Sequence, residues 1–366
     1  MEIDTFPKLL KRNRERYGPE KVAMRSKKLG IWREYSWNDV YEATKDFCLG
    51  LLSLGLEAGD TVAIIGDNDP EWYYAELATQ AAGGRITGVF VDTLPAEVEY
   101  VVDHSDAKLV LAKDQEQVDK ILQLRDRLPK VQKVIFWDAK GIWSYADPWL
   151  MSFEEVQKLG RKYEEAHPGL FESCLERGDV SDIAIICYTS GTTGLPKGAI
   201  LTFKNFLSNH LAFSTYYNFS DTDNLVSFYP LSIAPEQSIS LVPHLLRGTI
   251  LNFPEKPETA RENVREIAPT CFSVAPRLWE EQVSQIQSRM LDSSALKRLF
   301  YGLCLRVGYR KCDFEEARKR PGLGWRVLIK LSDWIVFRPL RDELGLLNAK
   351  WSFYGGSALG PDCFRF

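Results

Sequence analysis

Residues 189–198 read TSGTTGLPKG and lie between two apolar runs, 183–188 and 199–201, that we predict to be strands. Three glycines and four hydroxyl residues occupy these ten positions, and a lysine comes near the end. Glycine lets backbone N–H groups turn toward an anion, hydroxyl groups add hydrogen-bond donors, and lysine adds positive charge. The segment therefore indicates a phosphate-binding loop. A plain surface hairpin remains the alternative.

A Walker-type nucleotide loop is the obvious competing interpretation of this segment. That loop requires Gly-Lys-Ser/Thr at the start of a helix. Here Lys197 follows Pro196 and precedes Gly198 and a strand-like run. The context therefore disfavours an ordinary P-loop nucleoside triphosphatase.

Outward from the loop, short apolar runs alternate with helical patterns. Ser36 is suited to cap a helix that ends near Gly55, and Asp69 followed by Pro70 is suited to open the next one. Apolar runs separated by helices are typical of a parallel sheet covered on both faces, so the expected fold class is α/β. Besides the two runs that flank the loop, the predicted strands are 61–66, 86–91, 108–112, 134–137, 225–229, 249–253, 271–274 and 351–354.

The alternation pauses over residues 139–180, where we place a boundary between two doubly wound α/β subdomains. The first subdomain would span residues 1–180. The second would span 181–366 and would contain the loop together with a long helical insertion at about 277–345.

The composition is that of an ordinary globular protein, with 45% hydrophobic and 26% charged residues. A net charge of -4 gives no general attraction to nucleic acid. The seven cysteines form no CxxC pair, which argues for a reducing compartment and against zinc or a disulfide framework. The N-terminus lacks the apolar region of a signal peptide, and no apolar run approaches the ~18 residues of a membrane-spanning helix. We therefore expect a cytoplasmic protein.

The loop resembles, nearly residue for residue, the phosphate-loop signature of the adenylate-forming superfamily of acyl-CoA synthetases, firefly luciferases and peptide-synthetase adenylation domains. The resemblance covers essentially the whole chain. Five further segments resemble the long-chain fatty-acyl-CoA synthetases in particular. They are GIWREYSWNDV (30–40), GLEAGDTVAIIGDNDPEW (55–72), GVFVDTLPAEVEYVVDHSDAKLVL (88–111), YPLSIAPEQ (229–237) and FYGGSALGPD (353–362).

The resemblance implies an acid–thiol ligase of the AMP-forming type. Such an enzyme joins a fatty acid to ATP in the presence of Mg²⁺, releases pyrophosphate, and passes the acyl group from the adenylate to CoA. The residues implied to hold the ATP phosphates are Thr189, Ser190, Gly191, Thr192, Thr193, Gly194 and Lys197. By similarity, Thr189 would also contact magnesium.

Two further groups of site residues follow from the resemblance. Gly355, Gly356 and Ser357 would lie against the adenine and the acyl-adenylate, although a glycine pair could equally form a turn after a strand. Tyr229, Pro235 and Glu236 would lie beside the acyl pocket. SIAP at 232–235 departs from the histidine- or tryptophan-containing versions that are frequent in the family, and Glu236 could instead cap the following helix.

The family's Tyr-Gly-x-Thr-Glu motif, its ribose-binding Asp and its C-terminal lid domain with a catalytic lysine would follow Phe366. The chain is therefore expected to be truncated, with its catalytic residues beyond Phe366, and to form an incomplete and inactive fragment. The second hypothesis is a non-catalytic nucleotide- or lipid-binding module on the same fold.

Residues 296–341 form a basic stretch that carries twelve Lys or Arg and four acids, with leucines and aromatic residues between them. This pattern suits peripheral contact with an anionic membrane, at the inner membrane face. The alternative is a solvated helical face whose aromatic residues belong to the core. Nucleic-acid binding is disfavoured because no recognition motif accompanies the charge.

Overall fold

The computed structural model describes residues 4–189 and 194–366. Packing divides the chain into two compact units, Met1–Lys256 and Pro257–Phe366. In the described ranges, no helix is both long enough and apolar enough to cross a membrane.

The first unit contains a seven-stranded sheet in the order β7-β6-β5-β3-β4-β8-β9. Neighbouring strands are parallel except for β8 and β9, which form an antiparallel hairpin. The strands are β3 (Thr61–Ile65), β4 (Arg85–Val89), β5 (Ala107–Ala112), β6 (Lys133–Phe136), β7 (Leu150–Ser152), β8 (Ile183–Thr189) and β9 (Lys197–Thr202).

A second sheet of the same unit has the order β10-β11-β1-β2. Three of its strands run parallel, whereas β1 and β2 form an antiparallel hairpin. The strands are β1 (Val22–Lys28), β2 (Ile31–Ser36), β10 (Asn224–Val226) and β11 (Ile250–Phe253).

Ten helical segments accompany these two sheets. They are α1 (Phe6–Tyr17), α2 (Trp37–Ser53), α3 (Pro70–Ala81), α4 (Pro95–His104), α5 (Gln115–Leu122), α6 (Phe153–Ala166), α7 (Leu170–Arg177), α8 (Phe203–Phe213), α9 (Ala234–Glu236) and α10 (Val242–Arg247). A π-helical segment, Gln237–Leu241, joins α9 to α10.

Both faces of the large sheet are buried at its central strand, β3. Ala63 and Ile65 of β3 belong to one apolar core together with Val98 and Val101 of α4. Because side chains alternate along a strand, Val62 and Ile64 point to the opposite face, and both are also fully buried. The predicted α/β fold with a covered parallel sheet is confirmed.

The second unit is mostly helical and contains one parallel pair of strands. Its strands are β12 (Cys271–Ser273) and β13 (Trp351–Phe353). Its helices are α11 (Ala260–Ile267), α12 (Pro276–Leu291), α13 (Ala295–Glu316), α14 (Leu323–Ser332), α15 (Arg338–Glu343) and α16 (Pro361–Arg365), with a π-helical segment, Asp333–Phe337, between α14 and α15.

Helix starts were predicted well from local sequence, with one correction. Ser36 forms a reciprocal capping box with Asp39, as its position predicts. Asp69 precedes α3 as expected but does not cap it through its side chain. Its carboxylate instead accepts a hydrogen bond from Trp137 Nε1 at 3.1 Å and pairs with Lys113 at 2.8 Å. A tertiary contact has therefore replaced the local one.

The large sheet takes strands from both sides of residue 180, since β8 pairs with β4. The sheet itself therefore does not mark the division that we predicted at 180/181, and that division stays a prediction about the arrangement of subdomains. The strand predicted at 225–229 ends earlier, at Val226.

Helices α2 and α6 pack unusually closely because glycines lie at their contact. A Cβ atom added at Gly160 would overlap the carbonyl oxygen of Asp46, and one added at Gly50 would overlap that of Val156. Phe47 and Phe153 stack beside this contact with ring centroids 3.9 Å apart. Because both obstacles are backbone atoms, a side chain could not simply rotate to make room.

We therefore expect Gly160→Ala to lower the free energy of unfolding by about 1–3 kcal/mol, because overpacking would force the two helices apart. Lys158→Ala, an exposed change on the same helix, should alter it by less than about 0.5 kcal/mol. Urea unfolding followed by circular dichroism measures both values. Equal stability of Gly160→Ala and wild type would contradict the close packing.

Candidate functional site

The glycine-rich loop connects β8 to β9 at the carboxyl edge of the large sheet. Strand β8 ends at Thr189, and β9 begins at Lys197. Because β3, β4, β5 and β8 are parallel, their carboxyl ends all lie along this edge. In open α/β sheets, ligands bind outside the carboxyl ends of the strands. The position therefore agrees with a binding loop.

The two ends of the loop are held by the hairpin. The Thr189 hydroxyl donates to the Lys197 carbonyl oxygen over a long 3.5 Å. Gly194 has a φ of +112°, which a residue with a side chain rarely adopts. The Lys197 side chain is exposed and forms no ion pair within residues 4–189 and 194–366. Ser190, Gly191, Thr192 and Thr193 lie outside the described residues, and their predicted contacts stay predictions.

Tyr188 ties the end of β8 to helix α4. Its hydroxyl lies 2.7 Å from His104 Nδ1. Burial raises the pKa of Tyr188 to about 12, so the hydroxyl stays protonated near neutral pH. A Cβ atom at Gly198, the residue paired with Tyr188, would lie 3.3 Å from the tyrosine ring.

The segment after β10, residues 227–237, is anchored by Asn68. The Asn68 amide nitrogen donates to Ser227 Oγ at 2.7 Å and to the Tyr229 carbonyl oxygen at 2.6 Å. Its amide oxygen accepts from the Leu231 backbone N–H at 3.0 Å. One side chain thus fixes three points of the segment.

Glu236 turns inward from the same segment and is fully buried. Its carboxylate accepts hydrogen bonds from Ser227 Oγ at 2.7 Å and from the Tyr229 backbone N–H at 3.2 Å. Burial is the main cause of a pKa raised to about 7. Tyr229 is half-buried and Pro235 is exposed. The predicted acyl-pocket role of these three residues stays a prediction.

A second buried carboxyl group, Glu76 of α3, holds the far end of the segment. It accepts from Gln237 Nε2 at 2.9 Å and from Gln80 Nε2 at 3.1 Å. Burial raises its pKa to about 7. Gln237 Nε2 also donates to the Leu231 carbonyl oxygen at 2.8 Å.

Sequence reasoning missed Asn68, Glu76 and Gln237. Asn68 lies in the segment 55–72 and Gln237 in the segment 229–237, both of which resemble the long-chain synthetases, but the resemblance predicted no role for either side chain. Glu76 carries a usable signal, because it is an acid within a helix whose other residues from Trp72 to Ala81 are apolar, aromatic or uncharged. An acid on such a helix must find buried partners.

The segment packs against the strand next to β8. A Cβ atom at Gly88 of β4 would lie 2.5 Å from Ser232 Cα, so only glycine permits this approach. Gly88 is paired with Cys187 of β8, two residues before Thr189. The structure thus brings the 227–237 segment close to the strand that carries the loop.

Gly355, Gly356 and Ser357 follow β13 in the second unit and are exposed. Gly356 has a φ of +96°, which suits a turn after a strand. Their predicted contact with adenine and acyl-adenylate stays a prediction. In the described parts of the chain, no cluster of three or more His, Cys, Asp or Glu side chains could hold a metal ion.

Comparison with protein-family models gives a match to the AMP-binding enzyme family over residues 10–366. Among curated relatives, the human long-chain-fatty-acid–CoA ligase ACSBG1 is 26% identical, with 96% of this chain and 48% of the relative covered. The Xenopus laevis ligase ACSBG2 is also 26% identical, with 99% of this chain and 49% of the relative covered. The chain thus spans about half the length of the curated relatives that it matches.

Solved structures show the same fold at low identity. The adenylation–carrier didomain of a carboxylic acid reductase from Segniliparus rugosus, in complex with AMP, has a TM-score of 0.69 and 14% identity, covering 99% of this chain and 50% of that one. The anthranilate CoA ligase AuaEII with anthranoyl-AMP has a TM-score of 0.65 and 19% identity, covering 76% and 51%. A long-chain-fatty-acid–CoA ligase from Archaeoglobus fulgidus has a TM-score of 0.63 and 19% identity, covering 78% and 55%.

The buried carboxyl of Glu236 generates a prediction about pH. Because its pKa is raised in the folded chain, its contribution to stability is fully present below its unfolded pKa and is lost as the pH rises through about 7. Glu236→Gln mimics the protonated form, since the amide can donate to Ser227 Oγ and accept from the Tyr229 N–H. Between pH ~5 and ~8 the variant should therefore lose less stability than wild type, by on the order of 1–3 kcal/mol.

Urea unfolding at both pH values measures this difference. Glu154→Gln, which changes an exposed acid, should follow the wild-type pH dependence and serves as the matched control. Parallel pH profiles for wild type and Glu236→Gln would refute the proposed cost of ionising Glu236.

Proposed function

The chain belongs to the AMP-binding enzyme family, and we propose that it takes part in the ATP-dependent activation of a long-chain fatty acid. In the proposed reaction, a carboxylate oxygen attacks the α-phosphate of ATP and pyrophosphate leaves, giving an acyl-adenylate. The CoA thiol then displaces AMP to form the thioester. The observation that carries the proposal is the exposed Lys197, which forms no ion pair with the described residues, in a glycine-rich loop at the carboxyl edge of a parallel sheet.

We assign the ATP phosphates to the loop. Lys197 would supply a charge-assisted contact to the phosphates, and neighbouring backbone and hydroxyl groups would supply further donors. Mg²⁺, when bound, would offset the charge of the leaving pyrophosphate. Among the described residues, the exposed hydroxyl of Thr189 makes one long hydrogen bond, and oxygen ligands of this kind suit a hard cation. We therefore propose Thr189 as the magnesium contact.

The segment from Ser227 to Gln237 would form the wall of the acyl pocket beside the loop. Glu236 acts in this proposal as a positioning residue, because both of its carboxylate oxygens are already used by Ser227 and Tyr229. Tyr229 and Pro235 would then be the residues available to contact the acyl chain. Gly355, Gly356 and Ser357 are proposed to approach the adenine and acyl-adenylate, since bare backbone permits close contact with a flat ring.

The alternative function is a nucleotide- or lipid-binding module that does not catalyse the reaction. A nucleotide-binding module would also bind ATP, so the formation of an adenylate distinguishes it from the ligase. Hydroxylamine added to the 366-residue chain with ATP, Mg²⁺ and palmitate would trap an acyl-adenylate as the hydroxamate. Trapped product would support the ligase and refute the expected inactivity. ATP binding without product would agree with an inactive ligase fragment as well as with a nucleotide-binding module.

We also propose that the second unit contacts an anionic membrane on the cytoplasmic side through helix α14 and its neighbours. Leu323, Val327 and Leu331 recur at four-residue spacing on one face of α14 and are exposed. Trp334 is 70% exposed, so the alternative that places it in the core does not hold. Within the described residues, Arg318, Lys319, Arg320, Arg326 and Lys330 form no ion pair.

This combination favours a lipid surface as the occupant. Apolar side chains can enter the boundary between headgroups and acyl chains. Each lysine or arginine near the surface contributes about 1 kcal/mol of binding free energy through its attraction to anionic headgroups. A soluble acidic partner would form ion pairs with the lysines and arginines but would leave the apolar face exposed to water.

Lys197→Ala should weaken ATP binding by tenfold or more, because a charge-assisted contact contributes about 1.5–3 kcal/mol. Lys204→Ala, which removes a nearby exposed lysine at the start of α8, should bind ATP like wild type. Titration calorimetry on the 366-residue chain gives the three affinities. Unchanged binding in Lys197→Ala would remove the loop from the proposed ATP site.

Binding to vesicles should be stronger for anionic than for neutral phospholipid and should fade at high salt, because salt screens surface charges. Trp334→Ser should weaken this binding. Trp143→Ser, which removes an 85% exposed tryptophan of the first unit, should leave it unchanged. Sedimentation with vesicles at low and high salt is the assay, and equal partition onto neutral and anionic vesicles would refute the electrostatic part of the proposal.

A further inference from the structure

The second unit contains a partly open cavity of about 630 Å³, and none of the residues proposed to bind ATP or the acyl chain lines it. Its walls are helices α12, α13, α14, α15 and α16, together with the π-helical segment before α15 and strand β13. Apolar side chains line most of it, including Val283, Leu305, Phe337 and Leu340. Its volume falls within the range of ~300–1,000 Å³ that is typical of sites for small organic ligands. A partly open, mostly apolar cavity of this size therefore favours a ligand.

Besides Arg365 Nε, which lies 3.6 Å from the Glu316 carboxylate, two polar atoms in the cavity wall have no hydrogen-bond partner within residues 4–189 and 194–366. They are the Tyr301 hydroxyl and the Gln282 amide oxygen, and both atoms are buried. Burial also raises the pKa of Tyr301, which keeps its hydroxyl a donor. Buried polar atoms are normally satisfied, so these two are available to a polar group of a ligand.

The charged residues of the wall distinguish what kind of head group would fit. Arg341 is paired with Asp333 at 2.7 Å, and Lys311 is paired with Glu315 at 3.5 Å. Lys330, by contrast, is exposed and forms no ion pair in the described parts of the chain. Among the residues that the structure describes, the cavity therefore combines an apolar interior with one lysine that forms no ion pair, which matches an anionic amphiphile.

We propose that this cavity binds a single acyl chain with an anionic head group, the chain lying among the apolar side chains and the head group at Lys330. A free fatty acid and an anionic single-chain phospholipid share this chemistry. The proposal goes beyond the proposed function, because the acyl pocket assigned there is formed by residues 227–237 of the first unit. It also does not depend on ATP.

Cys312 lines the cavity and is only partly buried, so its thiol reports on occupancy. We expect palmitate, added without ATP, to slow the alkylation of Cys312 by iodoacetamide several-fold, as measured by mass spectrometry of the peptide that contains it. Palmitoyl-lysophosphatidylglycerol is the second probe. Protection by either probe supports the site and identifies the source of the chain, whereas no protection by either at saturation overturns it.

The head-group assignment is tested separately with Lys330→Gln, a surface change that should leave the fold intact. Its affinity for palmitate, read from the concentration that protects Cys312, should fall about two- to fivefold, as expected for loss of an exposed charge pair, while its affinity for the neutral 1-hexadecanol stays the same. Lys319→Gln, which removes an exposed lysine outside the cavity, is the matched control. Equal palmitate affinities for wild type and Lys330→Gln would overturn the assignment.

Failure of this site and failure of the proposed ATP site give different results. Lys197→Ala should bind palmitate in this assay as wild type does, because the cavity and the loop belong to different units. Loss of ATP binding with retained Cys312 protection would support both assignments.

Discussion

The hydrogen bond from Ser227 to the buried carboxyl of Glu236 is the interaction on which the arrangement beside the loop depends. It closes the segment on itself, since the two residues are nine positions apart in sequence. Asn68 then holds Ser227 and Tyr229 from outside the segment, and Glu76 holds Gln237 at its end. Removal of one partner would leave a buried polar group unpaired, which costs more than the bond itself contributes. The segment therefore has one defined position against β4, where Gly88 admits Ser232.

Two fully buried carboxyl groups in one small region are costly, and their raised pKa values show how the cost is met. Each group accepts two hydrogen bonds, which favour ionisation, while burial disfavours it more strongly. Charge near neutral pH is therefore finely balanced at Glu76 and Glu236. Replacing them with apolar residues would remove this cost, but it would also remove the anchors that determine where Tyr229 and Leu231 lie. We infer that stability has been exchanged here for a fixed geometry.

Features that depend on local sequence could be predicted, whereas features that depend on distant partners could not. Ser36 caps α2 because its partner, Asp39, lies three residues away. Asp69 has the same local signal, yet its carboxylate goes to Trp137 and Lys113, which come from other parts of the chain. The loop between β8 and β9 could be predicted because its glycines, hydroxyl residues and lysine all lie within ten consecutive residues. Asn68 and Glu76 were missed because their partners lie about 160 residues further along, and β1 and β2 were missed because no apolar run marks them.

The basic stretch illustrates a different limit, because helical periodicity reveals that a face exists but not which way it points. Leu323, Val327 and Leu331 have the spacing of a core face, and a core was one of the two interpretations of this stretch. In the structure they are exposed, while Ile329 and Phe337 line the cavity. The helical segment formed by α14 and the following π-helical turn is thus apolar on two sides. Lys330 lies between these sides, because it lines the cavity and is also exposed to solvent. A helix that is apolar on both an inner and an outer side is suited to lie between a membrane and an internal apolar space. The two proposals for the second unit are therefore physically compatible, since an amphiphile taken from a lipid surface would meet apolar side chains on both sides of the same cation.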